Sequence, residues 1–198
     1  MSEETPPTSE PRRVRITVFK ATTDWLRTQS LLELVIERLP AATAEIVADP
    51  LSHTWVDGVH LDALLTALEQ LEGRARLLQM SRETAGGSFA GILVPLADLM
   101  LRLLGTRPSS IFRRFRTISK PLLTGVAFEY TETSSLSGTL RVIANDRPAD
   151  AWFNTWLGSL PLVFEHLHLE GEVERFLILP GGRSADFALR WREVPTRR

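Results

Sequence analysis

The hydrophobic positions of this chain repeat at helical spacing through its N-terminal part and at every second residue near its C-terminus. Leucines spaced by three and four residues share one face of a helix, so one stripe predicts an amphipathic helix. The run from residue 89 to residue 104 is apolar on nearly all sides and predicts a central helix that Pro95 kinks. Another helix is predicted between Arg107 and Lys120. The leucine stripe consists of Leu61, Leu64, Leu65, Leu68 and Leu71.

Shorter helices are predicted before the leucine stripe. Residues 15–19 form either a short strand or the lead-in to a helix that runs through Trp25. A second helix is expected from about Ser30 until Pro40 stops it, because proline lacks the N–H that a helix interior needs. Residues 41–48 can form one or two further helical turns.

Two hairpins are predicted after Gly125. Apolar and polar residues alternate from Val126 to Tyr130 and again from Leu140 to Ala144, which is typical of half-buried antiparallel strands. A second alternating pair spans residues 167–179 and 184–192. The chain is therefore expected to be α+β: a helical N-terminal part followed by ββαββ, with a four-stranded antiparallel sheet packed against helices.

The helix between the hairpins carries the strongest aromatic stripe in the chain, from Trp152 to Phe164. An aromatic stripe at helical spacing forms either plain core or the wall of a small-molecule pocket. If a ligand binds, the sequence predicts an apolar one, held between this helix and the sheet. The candidate pocket residues are Trp152, Phe153, Trp156 and Leu160.

Composition indicates one soluble globular domain. The 198 residues are 43% hydrophobic and 24% charged, and the net charge is -1, which provides no general attraction for nucleic acid or anionic membranes. The absence of cysteine excludes disulfides and thiolate chemistry and fits a cytoplasmic protein. We expect a disordered tail at residues 1–13, one domain at 14–193 and a C-terminal tail at 194–198. No apolar run is long enough to span a membrane.

Two groups of polar residues could carry chemistry. Along a strand, His166, His168 and Glu170 would share one face and could hold a metal, although polar residues at the start of a hairpin are the simpler interpretation. Asp57 and His60 could form an acid–base pair, or Asp57 could cap a helix. Neither spacing is specific, so no catalytic or metal-binding residue is predicted as the main interpretation.

A basic segment lies between the leucine-rich part and the first hairpin. It contains Arg113, Arg114, Arg116 and Lys120 and no acidic residue. The pattern is typical of a helix with an apolar inner face and a solvated basic outer face. The alternative is a patch that binds an anion or an acidic partner.

The C-terminal layout resembles a known bacterial group. The IFRRF run after Pro108, the two hairpins, the tryptophan-containing helix and a closing strand with Gly182, Phe187 and Trp191 are similar to an uncharacterised paralogous family expanded in myxobacteria. That family resembles in turn the superfamily of haem NO-binding domains, 4-vinyl-reductase-type domains and Bet3-like subunits. The resemblance implies a ligand-binding or scaffold fold that is often dimeric.

The same resemblance implies which functions this chain lacks. Relatives carry cysteines where this chain has Leu179 and Ala185, so thiolate metal binding and acyl attachment are not expected. A haem NO-binding domain would show a Tyr-x-Ser-x-Arg cluster, whereas Thr131, Glu132, Thr133 and Ser134 follow the single tyrosine, Tyr130. No cofactor is therefore predicted.

The sequence thus favours a non-enzymatic cytoplasmic module that binds a protein partner, a second copy of itself or a small apolar molecule. It would act as a dimer or in a larger complex, without nucleic acid or integral membrane association. The alternative is a metal-dependent sensor or hydrolase built on His166, His168 and Glu170.

Overall fold

The computed structural model describes residues 10–87 and 107–193. Its helices in the first range are α1 (Ile16–Thr28), α2 (Leu32–Ile36), α3 (Ala41–Ala48), α4 (Gly58–Glu72) and α5 (Arg74–Gly87). Those in the second range are α6 (Pro108–Phe112), α7 (Phe115–Ser119), α8 (Asp150–Ser159) and α9 (Pro161–His166). The helix predicted for residues 89–104 lies outside the described residues.

Three short strands join the two ranges. β1 (Arg13–Arg15) pairs antiparallel with both β2 (Trp55–Asp57) and β3 (Leu123–Thr124). β1 ends at Arg15 and α1 begins at Ile16, so residues 15–19 contain both the end of a short strand and the start of a helix, which had been considered as alternatives. Strands of two or three residues are too short to show an alternating pattern, so the sequence did not predict this sheet.

The larger sheet confirms the predicted ββαββ arrangement. Its strands are β4 (Val126–Ser134), β5 (Ser137–Ala144), β6 (Leu169–Ile178) and β7 (Ser184–Glu193), in the order β4-β5-β7-β6 and all antiparallel. The C-terminal strand β7 therefore lies inside the sheet. Its alternating residues are buried against the helices: Ala185, Phe187, Leu189 and Trp191.

The solvent face of the sheet is held by ion pairs between neighbouring strands. Arg141 on β5 lies opposite Asp186 on β7, and the guanidinium donates Nε and Nη2 to the two carboxylate oxygens at 2.7 and 3.0 Å. Arg190 on the same strand donates to Glu174 of β6 at 2.9 Å. The alternation that the sequence shows is thus apolar towards the core and charged towards solvent.

Helices α5 and α8 approach each other closely at Gly158. A Cβ atom on this residue would lie 2.4 Å from the main-chain oxygen of Leu78. Ser81 of α5 donates a hydrogen bond to the main-chain oxygen of Thr155 on α8 at the same crossing. Small residues at the contact therefore let the two helix backbones touch.

Two predicted helices are each divided in two. The basic segment forms α6 and α7, separated at Arg113 and Arg114, and the aromatic stripe forms α8 and α9, with Pro161 at the first position of α9. A proline fits the first turn of a helix and not its interior, which explains the second division. The helix expected from about Ser30 is limited to Leu32–Ile36.

The predicted disordered tail of residues 1–13 includes a buried side chain. Arg12 is 1% exposed, and its main-chain oxygen accepts from Gly58 N at 2.8 Å. Glu10 also contacts the domain, since Asn145 Nδ2 donates to its main-chain oxygen at 2.6 Å. The boundary predicted at residue 14 is therefore too late. Among the described residues, no helix is long and apolar enough to cross a membrane.

Candidate functional site

A cavity of about 510 Å³ lies in the helical layer. The described lining residues come from α1, α4, α5, α8, α9 and the segment from α6 to β3, and none belongs to β4–β7. Leu61 and Leu65 of the predicted leucine stripe form part of the wall. A volume in the range of about 300–1,000 Å³ suits a small molecule.

Six hydroxyl side chains belong to the described lining of this cavity, and each donates its proton to a main-chain oxygen of the protein. Thr22 donates to Val18, and Thr84 donates to Met80 one turn earlier on the same helix. Because each hydroxyl is turned towards the protein backbone, the side chains present their methyl and methylene groups to the cavity. The wall is consequently more apolar than its composition indicates. The other four hydroxyls are those of Ser81, Ser119, Thr155 and Ser159.

The remaining ionisable groups on the described wall are Glu165 and His166 at the end of α9. Glu165 is paired with Arg82 of α5, whose Nη2 donates to Oε1 at 2.5 Å. The carboxylate charge is therefore compensated at the surface.

The four predicted pocket residues divide between the cavity and the core. Trp152 and Trp156 line the cavity, with their ring centroids 5.7 Å apart and edge to face. Phe153 and Leu160 are 0% and 1% exposed and lie outside the described lining. The cavity lies among the helices and not between this helix and the sheet, which differs from the position expected from the sequence.

The basic segment forms one wall of the cavity. Phe115, Ile118 and Ser119 of α7 face the cavity, whereas the predicted cations of this segment are exposed. Arg113 is paired with Glu132 of β4 at 2.5 Å. Among the described residues, the side chains of Arg114, Arg116 and Lys120 have no hydrogen-bond or ion-pair partner.

The alternative metal site is not formed. His166 ends α9, His168 has a positive φ of 56°, and β6 begins only at Leu169, so the three residues do not share one strand face. Glu170 accepts from Arg192 Nε at 2.5 Å. Within residues 10–87 and 107–193, no group of three acidic or histidine side chains could hold a metal ion. The premise of the prediction is wrong because His166 ends a helix and His168 lies in the turn that follows it, so only Glu170 is on the strand.

The possible acid–base pair near the start of α4 is also separated. Asp57 is bonded to Arg13 at 3.2 Å and makes no side-chain capping bond, while His60 Nδ1 lies 2.9 Å from the hydroxyl of Thr43. The two residues therefore have different partners, and neither of the predicted roles of Asp57 is realised.

Tyr130 lies away from the cavity, on β4. Its ring stacks on Phe112, with centroids 5.6 Å apart, and its hydroxyl lies over Gly138 of β5. The hydroxyl is buried and has no hydrogen-bond partner, and burial together with Glu132 raises the pKa of Tyr130 to about 12. This side chain is a neutral part of the core.

The whole arrangement of helices and sheets matches solved structures. An unliganded Fe(II) H-NOX protein from K. algicida superposes with a TM-score of 0.66 at 16% identity, covering 93% of this chain and 100% of that one. The fold is that of the H-NOX proteins. A second example, from S. oneidensis in the Fe(II)NO state, gives 0.58 at 10% identity over 90% of this chain and 99% of that one. No family model and no curated protein matches the sequence.

A third similar structure is an oxygen-binding H-NOX domain related to soluble guanylate cyclases. It superposes with a TM-score of 0.52 at 10% identity and covers 93% of this chain and 98% of that one. These identities establish the H-NOX-like fold alone. The predicted α+β fold agrees with them, while these solved structures provide no support for the Bet3 or 4-vinyl-reductase branch.

The described residues do not fit the haem that this fold implies. A haem needs an axial ligand for its iron and partners for two propionates. On the described wall only His166 and Met80 are of ligand type, and the Met80 sulfur is in contact with the Thr84 hydroxyl at 3.7 Å. No arginine or lysine belongs to the described lining, and the six hydroxyl protons are already donated. The buried Nε1–H of Trp156 is the one side-chain donor on the described wall without a partner, and a single neutral donor does not match two carboxylates.

Sequence reasoning missed most of the cavity wall. Val18 and Thr22 of α1 and Ser81 and Thr84 of α5 were not among the predicted pocket residues. For Thr22 and Thr84 the one detectable signal is a threonine inside a helix, whose hydroxyl can donate to the main-chain oxygen four residues earlier. Val18 and Ser81 carry no such signal, since the partner of Ser81 is on α8. That signal predicts a hydroxyl that points back to its own helix backbone, and it cannot show that a cavity lies beside the side chain.

Proposed function

We propose that this chain is a non-enzymatic small-molecule-binding module that holds an apolar ligand in the helical cavity without haem. The observation that carries the proposal is the wall itself: about 510 Å³ of space on whose described lining every hydroxyl proton is donated to a main-chain oxygen of the protein. An apolar molecule loses nothing by entering such a space, because it needs no hydrogen bonds there.

The fold supports a binding or sensing role in preference to catalysis. The H-NOX proteins that it resembles are described as binding oxygen or as carrying an Fe(II)NO group. In this chain the same fold would present an apolar wall to a different ligand. Ligand occupancy would then be transmitted through α8, which links the cavity to the sheet, to a partner protein or a second copy in the cytoplasm.

Binding of the neutral dye Nile red tests the proposal. Ser159 lines the cavity, so the larger side chain of Ser159→Phe narrows it and should weaken the fluorescence enhancement that wild-type protein gives. The matched control is Ser52→Phe, because Ser52 also donates to a main-chain oxygen, that of Asp49, but lies on an exposed 3-10 turn. The control should bind the dye as wild type does.

Two results would contradict the proposal. One is undiminished dye binding by a folded Ser159→Phe protein and by a second cavity-filling variant, Val18→Phe. The other is a stoichiometric haem complex with a Soret band after addition of haemin. Native mass spectrometry of the purified protein adds a direct observation, since a retained apolar ligand appears as a defined additional mass.

A further inference from the structure

One buried side-chain donor on the described wall of the cavity has no partner. Trp156 of α8 belongs to the lining, and its Nε1–H is buried without a hydrogen-bond acceptor. A buried indole N–H normally finds a partner, because an unmade hydrogen bond in the interior costs free energy. The hydroxyl groups of the same wall differ, since each donates its proton to a main-chain oxygen. Trp156 therefore supplies the uncommitted N–H of the described lining.

The described neighbours of this indole are aromatic rings. Phe115, Phe128 and Trp152 pack edge to face against it, with ring centroids 5.9, 5.5 and 5.7 Å away. The face of an aromatic ring is a weaker acceptor than a carbonyl oxygen. Phe115 and Trp152 line the cavity too, so rings surround the indole at the wall and no oxygen of the described residues accepts from its nitrogen. A stronger acceptor would have to come from a molecule in the cavity.

The charges of the wall favour a neutral acceptor. No arginine or lysine belongs to the described lining, and Glu165 is already paired with Arg82. A carboxylate or phosphate in the cavity would lose its hydration and gain one hydrogen bond from a neutral N–H, which does not compensate a buried charge. A carbonyl oxygen needs only one donor. Because the hydroxyl protons are committed, a second acceptor on the ligand would find no donor among them.

We propose that the ligand is a neutral molecule with an apolar body and one carbonyl group, as in a ketone, an aldehyde or an ester, whose oxygen accepts a hydrogen bond from Trp156 Nε1–H. This proposal rests on the cavity being a ligand site; it adds the class of ligand and assigns Trp156 as the residue that selects it. The nitrogen is closed to solvent in this structure, so the indole must turn slightly for the oxygen to reach it. The new hydrogen bond offsets the cost of that movement.

The test compares three probes of similar shape by isothermal titration calorimetry at neutral pH. Acetophenone carries the carbonyl, cumene has a methyl group in place of the oxygen, and benzoate has a carboxylate in place of the acetyl group. The variant Trp156→Phe removes the N–H and keeps an aromatic ring. It should weaken acetophenone binding by about fivefold and leave cumene within about twofold of wild type. Benzoate should bind wild-type protein at least about tenfold more weakly than acetophenone does.

A control variant separates the lost hydrogen bond from a changed wall. Phe115→Leu alters a neighbouring side chain of the same lining and removes no donor, so it should change the affinities for acetophenone and cumene by the same factor.

Nuclear magnetic resonance of the wild-type protein reports the hydrogen bond directly. The chain has five tryptophans, and the indole N–H signal of Trp156 is the one that Trp156→Phe lacks. Acetophenone should move this proton signal downfield, as a hydrogen bond to oxygen does, and cumene should not. The measurement needs only folded wild-type protein for the binding itself, so a poorly folded variant does not remove the test.

The outcomes separate this proposal from the proposed function. Equal weakening of acetophenone and cumene by Trp156→Phe, or an indole proton that responds alike to both, overturns the carbonyl contact and leaves the apolar cavity in place. Benzoate binding as tight as that of acetophenone overturns the neutral ligand class. Failure of every probe, cumene and Nile red included, overturns the ligand site itself.

Discussion

Arg12 and Asp62 form a two-point ion pair in the interior, between residues 50 positions apart in the chain. The guanidinium donates Nη1 and Nη2 to the two carboxylate oxygens at 3.0 and 2.5 Å, and its side chain is 0% exposed. Its Nε donates to Asp146 at 3.0 Å, and its Cζ lies 4.7 Å from the centroid of the Trp152 ring. This pair connects the strand β1 to α4 and to the loop that precedes α8.

Removing Asp62 should destabilise the protein far more than removing a similar surface partner. Burial raises the pKa of Asp62 while the Arg12 hydrogen bonds oppose that change. Asp62→Ala leaves the buried Arg12 with Asp146 alone, at a cost of about 3–5 kcal/mol in the free energy of unfolding. The matched control is Asp186→Ala, which breaks the two-point pair with half-exposed Arg141 and should cost less than about 1 kcal/mol. Urea unfolding measures both.

The double variant Arg12→Met, Asp62→Leu tests the same ion pair by replacing both charges with apolar side chains. Replacing a buried ion pair by apolar residues of similar volume often restores stability, because neither charge is then desolvated. We expect the double variant to be more stable than Asp62→Ala. If Asp62→Ala and Asp186→Ala cost the same, the burial of Arg12 does not matter for folding.

Gly158 should be intolerant of a methyl group although it lies within a helix. Alanine normally stabilises a helix relative to glycine by up to about 1 kcal/mol, but here its Cβ would meet the main-chain oxygen of Leu78 at 2.4 Å. We expect Gly158→Ala to lower the melting temperature by several degrees, since α5 and α8 must separate. Gly86, in α5, has nothing within 4 Å of its Cβ position, so Gly86→Ala should be neutral or stabilising. A rise in melting temperature for Gly158→Ala would refute the close contact.

The raised pKa of Tyr130 predicts that the folded protein loses stability at alkaline pH. Its pKa is about 12 in the folded protein against 10.0 for an ordinary tyrosine. Because the folded-state pKa is raised, the contribution to stability is complete below pH 10 and is lost as the pH rises towards 12. Tyr130 is the single tyrosine of the chain, so tyrosinate absorbance follows this residue alone. The titration midpoint of native protein should lie well above that of denatured protein.

The variant Tyr130→Phe isolates that contribution. It removes a buried hydroxyl that lacks a partner, so we expect equal or slightly higher stability at neutral pH, by about 1 kcal/mol. Between pH 10 and 12 it should lose less stability than wild type, with chemical denaturation as the measurement. Identical alkaline unfolding of the two proteins would show that the hydroxyl is hydrated.

The alternation of apolar and polar residues was sufficient to predict the larger sheet and its helices. Phe187 and Leu189 are two residues apart, and a period of two can only place them on one face of a strand. The leucines from Leu61 to Leu71 determine α4 in the same way, since their spacing follows one helix face. Both patterns are local, which is why the fold class could be deduced from the sequence alone.

Tertiary structure decided everything that depends on which elements meet. Arg12 looks like part of a polar tail until Asp62 is seen beside it, and the burial of a charge depends on a partner that no local pattern reveals. His166 and His168 looked like neighbours on one strand, and a helix ending between them separates them. On its described side the cavity is enclosed by five helices and the segment from α6 to β3, and the spacing within a single helix carries no information about the space between several elements.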